Sequence, residues 1–144
     1  MFLNGVMTLK TKLKINRSAQ CVGCRQCELV CSTHHEGVFA PWLSRVTVFR
    51  DEAIVLAKPN ICRQCKNAKC QSACPTNAIK YNDNGVLTVS DELCIGCGNC
   101  VVACPFDAMG MNHDNNKAFK CDLCDGDPQC VKVCPAHVLI AEVT

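Results

Sequence analysis

A chain of 144 residues with a formal net charge of +2 is ordinarily a single domain. So balanced a charge argues against a nucleic-acid-binding arm or a polybasic membrane patch. No apolar run approaches the roughly 18 residues of a membrane-spanning helix. The distinctive feature is cysteine, which supplies 16 of the residues. Three classes of structure use cysteine so heavily: disulfide scaffolds, zinc sites and iron–sulfur clusters.

The first predicted element is a half-buried strand over residues 9–16, where apolar residues alternate with polar or charged ones. Met7 is an alternative start of the chain. The next predicted element is a β-hairpin with strands over residues 45–50 and 54–56, and Pro59 is expected to end its second strand.

Two further hairpins and a closing strand are predicted in the second half of the chain. The first of these hairpins has a strong turn signal in its Asn-Gly pair, Asn84-Gly85. The predicted strands are residues 78–81 with 86–89, residues 109–111 with 118–120, and residues 138–141 at the close.

Four cysteine motifs alternate with these elements. Motif III, Cys94-x2-Cys97-x2-Cys100-x3-Cys104-Pro105, has the spacing of the bacterial ferredoxin run C-x2-C-x2-C-x3-C-P. In that run three cysteines bind one cluster, and the fourth reaches the neighbouring cluster. The other three are motif I (Cys21-x2-Cys24-x2-Cys27-x3-Cys31), motif II (Cys62-x2-Cys65-x4-Cys70-x3-Cys74-Pro75) and motif IV (Cys121-x2-Cys124-x5-Cys130-x3-Cys134-Pro135).

This grouping favours iron–sulfur clusters over the two other classes. A secreted disulfide scaffold should begin with a signal peptide, and residues 1–10 are too short and too broken for one. Structural zinc sites combine two separated pairs of ligands, whereas these cysteines come in four groups of four. The expected cofactors are therefore four [4Fe–4S] clusters in a protein that moves electrons. The expected compartment is a reducing cytoplasm, although export together with a signal-bearing partner is an alternative.

The order of the motifs along the chain leaves their pairing open, because neighbouring motifs could also pair, motif I with motif II and motif III with motif IV. The 19 residues between Cys74 and Cys94 are filled by one hairpin, which favours a compact unit of motifs II and III. Motifs I and IV are then left to each other. This nested pairing predicts four ligand sets: set A (Cys21, Cys24, Cys27 with Cys134), set B (Cys121, Cys124, Cys130 with Cys31), set C (Cys62, Cys65, Cys70 with Cys104) and set D (Cys94, Cys97, Cys100 with Cys74).

The order of the motifs, the widened second and fourth motifs and the Cys-Pro endings carry a family resemblance. They resemble the iron–sulfur electron-transfer subunits of dimethyl-sulfoxide-reductase-type molybdenum and tungsten enzymes, over about residues 12–142. The sequences Cys31-Ser-Thr-His-His-Glu-Gly and Lys120-Cys121-Asp-Leu-Cys124-Asp-Gly look like that family's first and last motifs. This short chain looks most like the small polyferredoxin subunit of tungsten aldehyde oxidoreductase or carbon monoxide dehydrogenase systems.

The resemblance implies nested pairing and an α+β fold of two bacterial 2[4Fe–4S] ferredoxin-like modules. All four clusters are expected to be complete, because all sixteen ligand positions are Cys. The expected organisation is a single polyferredoxin domain over residues 1–144, with an inner module over 59–108, an outer module over 12–37 plus 117–142, and a hairpin insert over 38–58.

The function expected from these features is that of an electron-transfer subunit in an oxidoreductase complex. Single electrons would pass through the four clusters between a catalytic subunit with a tungsten or molybdenum pterin site and a second carrier, such as ferredoxin or a flavin subunit. The chain carries no set of residues for substrate chemistry, so no catalysis is expected of it alone. Its expected partners are proteins, without nucleic acid and without direct membrane insertion. The alternatives are a free diffusible polyferredoxin, a partner of a hydrogenase or carbon monoxide dehydrogenase, and a maturation or sensing protein.

Several single residues carry more than one interpretation. His34 and His35 are hydrogen-bond donors to a cysteine sulfur, contacts to a partner's cofactor, or members of a polar loop. Trp42 is expected to be a packing or interface residue, with an electron relay as the alternative. The apolar side chains expected to shield the clusters are Leu29, Ile95, Val101, Val102, Val131 and Val133. Lys66 and Lys69 are expected in a solvated loop, with an effect on a nearby cluster's potential or a contact with an acidic partner as the alternative. Solvated or packing positions are expected for His113 and His137. Because no site exists in the unfolded chain, cluster binding is expected to drive folding.

Overall fold

The computed structural model describes residues 11–143, so the first residues of the strand predicted over 9–16, and the alternative start at Met7, lie outside them. The described part is a small mixed fold of short helices and antiparallel strand pairs, in agreement with the coarse α+β prediction. Its elements in chain order are β1 (Thr11–Ile15), α1 (Gln26–Glu36), a 3₁₀ helix (Pro41–Leu43), β2 (Thr47–Asp51), β3 (Leu56–Asn60), α2 (Lys69–Ala73), β4 (Ile79–Tyr81), β5 (Leu87–Val89), α3 (Asn99–Ala103), β6 (Gly110–Asn112), β7 (Lys117–Phe119), a second 3₁₀ helix (Leu123–Gly126), α4 (Gln129–Val133) and β8 (Leu139–Val143).

Strands β1 and β8 bring the two ends of the described chain together. They pair antiparallel from Thr11 opposite Val143 to Ile15 opposite Leu139. The alternation predicted for β1 is confirmed within the described residues, because Leu13 and Ile15 pack against an apolar core while the intervening lysines are exposed. The pairing therefore places motif I close to the end of motif IV.

The other three sheets are hairpins: β2 with β3, β4 with β5, and β6 with β7. The last two confirm the hairpins predicted over residues 78–89 and 109–120. In the first of them the Asn82 side-chain oxygen accepts hydrogen bonds from the N–H groups of Asn84 and Val86, and Gly85 takes the positive φ of 74° that the turn requires. These short hairpins fix the distance between successive cysteine motifs.

The hairpin of β2 and β3 differs from the prediction in its bounds. Its strands run about two residues further along the chain, so that Ile54 and Val55 lie exposed in the turn. Pro59 does not end the strand but lies inside β3, opposite Val48. A proline is tolerated there because the outward-facing Val48 N–H bonds the Glu28 carboxylate at 2.6 Å rather than β3, so this pair needs no N–H from Pro59.

Two apolar cores lie beside the cysteines. One joins motifs I and IV with hairpin β2–β3 through Val46, Val48, Ala57, Ile61 and Leu139. In the other, motifs II and III are joined with hairpins β4–β5 and β6–β7 through Ala68, Ala78, Ile79, Leu87, Met109 and Ala118. The helices divide in the same way, with α1 packed on α4 and α2 on α3. No helix within residues 11–143 is both long and apolar enough to cross a membrane.

Candidate metal centres

Three cavities are each lined by the four cysteines of one predicted set. Their other walls are mostly apolar: Val48, Pro59, Val138 and Leu139 at set A; Leu13, Val46, Ile61 and Leu123 at set B; Ala78, Ile79, Val89 and Ala118 at set D. The chain thus brings together twelve of the sixteen predicted ligands in three groups of four.

The four cysteines of set C are connected by a groove, an apolar core and electrostatic interactions. Cys62 and Cys65 line one groove. Burial raises the pKa of the Cys70 thiol, the Lys120 ammonium acts to lower it, and the sulfurs of Cys62 and Cys104 act to raise it. Cys70 therefore lies within electrostatic reach of Cys62 from its own motif and of Cys104 from motif III.

Each set receives two backbone N–H···S hydrogen bonds, at N···S distances of 3.2 to 3.5 Å. Such bonds stabilise thiolates and tune the potential of a cluster bound to them. The donor and acceptor pairs are Gly23 to Cys21 and Val138 to Cys134 in set A, Arg45 to Cys31 and Leu123 to Cys121 in set B, Gln64 to Cys62 and Ala108 to Cys104 in set C, and Ala78 to Cys74 and Ala118 to Cys94 in set D.

The cysteine loops owe their shape to a positive φ at the second residue after the first cysteine of each motif. Gly23, Gln64, Gly96 and Leu123 hold these positions, with φ between 48° and 73°. At Gly96 only glycine fits, because a Cβ would lie 2.2 Å from the Asn116 carbonyl oxygen. The tight turn directs the N–H of Gly23, Gln64 and Leu123 at the sulfur two residues earlier.

The thiols of these sets differ in acidity. Burial raises the pKa of Cys27 and of Cys121 to about 12. At Cys31 burial also acts to raise the pKa, but the hydrogen bonds from His35 and from the Arg45 N–H outweigh it and the pKa is lowered. At Cys74 the Ala78 N–H and the Thr76 hydroxyl outweigh burial in the same way. Metal binding at the buried thiols must therefore release protons.

Four converging sulfurs, apolar walls and N–H donors to sulfur fit a [4Fe–4S] cluster. Cysteine thiolates are the usual ligands of such clusters, and hydrogen bonds to the sulfurs and exclusion of solvent set their potentials. The residues of set A, of set B and of set D would each hold one cluster. Set C also consists of four cysteines and also receives two N–H···S hydrogen bonds.

His35 makes the contact with a cysteine that one of its interpretations anticipated. Its Nδ1 lies 3.7 Å from Cys31 Sγ and 2.9 Å from the Cys31 carbonyl oxygen, and its Nε2 lies 2.8 Å from Asp122 Oδ1. These bonds raise the pKa of His35 to about 10. At Asp122, burial acts to raise the pKa, but the bonds from His35 and the Cys124 N–H outweigh it and bring the pKa to about 2. His35 thus links motif I to motif IV as an ion pair.

The expectation of a polar loop at His34 and His35 is wrong, because both residues lie in α1. His34 is exposed, and its imidazole, that of His35 and the Cys124 sulfur have ligand atoms within 4.8 Å of one another. Because Cys124 already belongs to set B, this group overlaps a predicted cluster site.

The remaining predictions about single residues are confirmed at some positions and wrong at others. Lys66, Lys69, His113 and His137 are exposed, as expected of solvated positions. Trp42 is 74 % exposed, which excludes the packing interpretation. Among the expected shields, Val101 and Val131 pack against the two cores, and Ile95 lines the cavity of set D although it is partly exposed. Val102 is 88 % exposed because it lies on the outer side of α3, and Leu29 is exposed as well. The strands and hairpins, rather than these residues, supply most of the apolar walls.

Three residues that the motifs gave no reason to single out also contribute to the sites. Glu28 is buried and bonds the Val48 N–H, Gln64 bonds backbone groups of both Leu87 and Cys121, and Lys120 is buried beside Cys121. Such side chains are normally exposed, so composition gives no sign of their burial. The only signal was their place within or beside a cysteine motif.

Comparisons with known proteins identify the family. A family described as "4Fe-4S dicluster domain" matches residues 53–143, which contain motifs II, III and IV. The chain is 43% identical over 83 residues to the "Aliphatic sulfonate oxidoreductase, polyferredoxin-like subunit" of Pyrococcus furiosus, a match that covers 57% of this chain and 47% of the relative. It is 36% identical over 91 residues to the "Electron transport protein HydN" of Escherichia coli, covering 58% and 50%. The chain spans about half the length of the curated relatives it matches.

A solved structure extends the likeness over more of the chain. A chain of the "Active site complex BamBC of Benzoyl Coenzyme A reductase" matches with a TM-score of 0.56 and 26% identity, over 94% of this chain and 81% of the other. The relatives' names agree with the expectation that the chain carries electrons and is not an enzyme on its own. The chain belongs to the 4Fe–4S dicluster domain family and is a ferredoxin-like iron–sulfur electron-transfer protein.

Proposed function

We propose that this chain is the electron-transfer subunit of an oxidoreductase complex and that its sixteen cysteines bind four [4Fe–4S] clusters as sets A to D. The observation that carries the proposal is the convergence of the four cysteines of set A, of set B and of set D on one cavity each. When bound, each cluster supplies a site that takes up and releases one electron. The sixteen thiolates hold the clusters, the apolar walls exclude water, and two N–H groups per set stabilise charge on sulfur.

The proposed organisation is two nested modules within a single domain over residues 1–144. The inner module comprises residues 59–108, the outer module comprises residues 12–37 and 117–142, and a hairpin insert covers residues 38–58. The pairing of β1 with β8, the packing of α1 on α4 and of α2 on α3, and the two separate apolar cores support this division. Two residues cross its bounds: Ala118 packs in the core of motifs II and III, and Ile61 packs in the core of motifs I and IV.

The hairpin insert belongs functionally to the outer module in this proposal. Its Val48 contributes to the wall of set A, its Val46 contributes to the wall of set B, and the Arg45 N–H bonds the Cys31 sulfur at 3.2 Å. The buried Glu28 of α1 holds the insert in place through the Val48 N–H. The insert thus excludes water from two clusters that motifs I and IV alone would leave more open.

The proposed partners are a catalytic subunit with a tungsten or molybdenum pterin site and a second electron carrier, such as ferredoxin or a flavin subunit. The names of the Pyrococcus furiosus relative and of the benzoyl-CoA reductase complex support a catalytic partner. The proposed compartment is the cytoplasm, where a reducing poise keeps thiols available for iron.

The function is tested by anoxic affinity purification of the chain from its native cells, with analysis of iron, sulfide and other metals. We expect about four irons and four sulfides for every four cysteines, and tungsten or molybdenum that co-purifies in stoichiometric amount with a larger subunit. Iron–sulfur clusters without any large subunit would instead support a free polyferredoxin. Zinc or disulfides in place of iron and sulfide would refute the proposal.

The nested ligand sets are tested by double substitution of cysteines. If Cys24 and Cys134 serve one cluster, the C24S/C134S variant alters no more clusters than C24S alone, as counted by iron content and electron paramagnetic resonance (EPR). In that case C24S/C74S alters two. Sequential pairing of motif I with motif II predicts the reverse, so each outcome selects one arrangement.

A further inference from the structure

Lys120 is a buried cation without a carboxylate partner among the described residues. It follows β7, directly before Cys121, and is only 4 % exposed. Its Nζ donates hydrogen bonds to the carbonyl oxygens of Leu87 at 2.5 Å and of Cys121 at 3.2 Å. The ion pairs found within residues 11–143 all involve other cations. Fully buried lysines are rare unless they are paired.

The two carbonyl groups satisfy protons of the ammonium but not its charge. Removal of a charge from water is energetically unfavourable, and only a nearby opposite charge or extensive hydrogen bonding offsets this cost. Since no carboxylate of residues 11–143 lies within 4.0 Å, the compensating charge must come from another group. Cluster-bound thiolates are anions of that kind.

Cysteines of two different sets lie within electrostatic reach of Lys120. Lys120 directly precedes Cys121 of set B, and its Nζ bonds the Cys121 carbonyl oxygen. The same oxygen accepts a hydrogen bond from Gln64, which lies between Cys62 and Cys65 of set C. Lys120 therefore lies where set B approaches set C.

Gln64 fixes this junction. Its Nε2 donates to the same two carbonyl oxygens as Lys120, at 3.3 Å for Leu87 and 2.9 Å for Cys121, and its Oε1 accepts from the Leu87 N–H at 2.8 Å. Gln64 belongs to the loop between Cys62 and Cys65 of motif II. The junction thus joins the loops of motifs II and IV to strand β5, and the ammonium is held at the meeting point.

We propose that Lys120 is the counter-charge shared by the clusters of sets B and C, and that it raises the reduction potentials of these two clusters. A fixed positive charge favours the reduced form, because reduction adds one negative charge to the cluster. An electron that crosses between the proposed modules would then meet two neighbouring sites raised by the same residue. The role of Lys120 rests on the four-cluster function proposed above.

The test compares the reduction potentials of the purified, cluster-loaded protein and its variants by EPR-monitored redox titration. Lys120→Met and Lys120→Gln remove the charge, and Lys120→Arg keeps it. The matched control is Lys117→Met, since Lys117 Nζ donates to the Cys94 carbonyl oxygen at 2.6 Å, beside set D. The titration steps of sets B and C are assigned with Cys31→Ser and Cys104→Ser, which change one ligand in each.

In Lys120→Met and Lys120→Gln we expect the equilibrium constant for reduction of the clusters of sets B and C to fall about tenfold. This corresponds to a fall of about 59 mV in the potential of a one-electron step. Sets A and D should not shift, and Lys120→Arg should restore both potentials. If neither neutral variant retains iron while Lys120→Arg does, the need for a positive charge is also supported.

Two outcomes would overturn the role of Lys120. One is a neutral variant with full iron content and unchanged potentials at sets B and C. The other is a Lys120→Arg variant that shifts or loses iron as much as Lys120→Met, which would show that shape rather than charge matters. Wild-type protein without four iron–sulfur clusters would instead refute the proposed function, so the two failures are distinguishable.

Discussion

Motif I and motifs II to IV end their helices in different ways. Helix α1 of motif I has 11 residues and continues beyond Cys31 as far as Glu36. Helices α2, α3 and α4 have five residues each and stop before the fourth cysteine of their motif. Each of these cysteines precedes a proline, which disfavours helical backbone, and each has an extended conformation with φ between −77° and −70°. Motif I carries Ser32 at that position.

The difference determines how the fourth sulfur is hydrogen bonded. After each short helix the chain turns, and the N–H four residues on donates to that sulfur: Ala78 to Cys74, Ala108 to Cys104 and Val138 to Cys134. In motif I the helix continues, so the Cys31 sulfur is served by the Arg45 N–H of the insert and approached by the His35 ring. In motif I the backbone donor four residues on is thus replaced by a distant N–H of the insert and by a histidine ring of the same helix.

The largest effect is expected when a proline is placed after the fourth cysteine of motif I, as in the other three motifs. Ser32→Pro should break α1, since proline removes a helical hydrogen bond and clashes with the preceding turn at a cost of about 3 kcal/mol or more. Ser32 is 0 % exposed, its hydroxyl donates to the Leu29 carbonyl oxygen, and it accepts from the Ala40 N–H. We expect about a quarter of the iron to be lost, from set B, as measured by iron analysis and EPR.

The control for this change is Ser32→Ala, which removes the hydroxyl but leaves the helix intact. It should retain the full iron content at a cost of about 1 kcal/mol. Equal iron loss in both variants would show that the hydroxyl, not the helix, supports set B.

A smaller effect is expected when the hydrogen bond that joins α1 to the hairpin insert is removed. Glu28 is 2 % exposed, and its loss in Glu28→Ala leaves the buried Val48 N–H without an acceptor, at a cost of about 1–3 kcal/mol. The rate of iron release to a chelator should rise. Glu142→Ala, which removes only the exposed pair with Lys14, should cost no more than about 1 kcal/mol. Similar release rates for the two variants would contradict the anchoring role of Glu28.

His35→Asn should change one reduction potential without loss of iron. The substitution removes the contact of the ring with Cys31 and its pair with Asp122. A difference of about 1 kcal/mol between the two oxidation states corresponds to about 40 mV, so the potential of set B should fall by that order. Redox titration measures the shift, with His113→Asn in an exposed turn as control. A potential at set B that stays at its wild-type value would leave His35 with a structural role only.

The smallest effect is expected from the reverse change in motif IV. In Pro135→Ser the Val138 N–H remains available to the Cys134 sulfur, so the iron content should not change. Greater freedom of the unfolded chain should lower the free energy of unfolding by about 0.4–1 kcal/mol. Thermal unfolding of the loaded protein measures the difference. Extension of α4 with loss of iron would show that proline alone imposes the short helix.

Much of the fold could be predicted because its signals are local. The Asn84-Gly85 turn fixes a short stretch of backbone, and the hairpins predicted before and after motif III are both present. The long α1 was not predicted, because the cysteine spacing predicts only the loop and the turn that follows it. The helix continues because Ser32 stands where the other three motifs have proline.

Other misses depend on contacts that are distant in sequence. Pro59 lies within a strand because Glu28 takes up the N–H of its partner Val48, and Lys120 is buried because loops of motifs II and IV converge on it. Val102 was expected inside because it is apolar, but a helix of five residues buries only one side. No local pattern carries this information.

The pairing of β1 with β8 has a consequence for biosynthesis. With the proposed nested ligand sets, the cysteines of sets C and D have all left the ribosome once Cys104 has emerged. Sets A and B cannot be completed until motif IV, and then β8, has been made to meet β1. Newly made chains should therefore acquire their two central clusters first, and a nascent chain that stalls before motif IV should emerge half loaded.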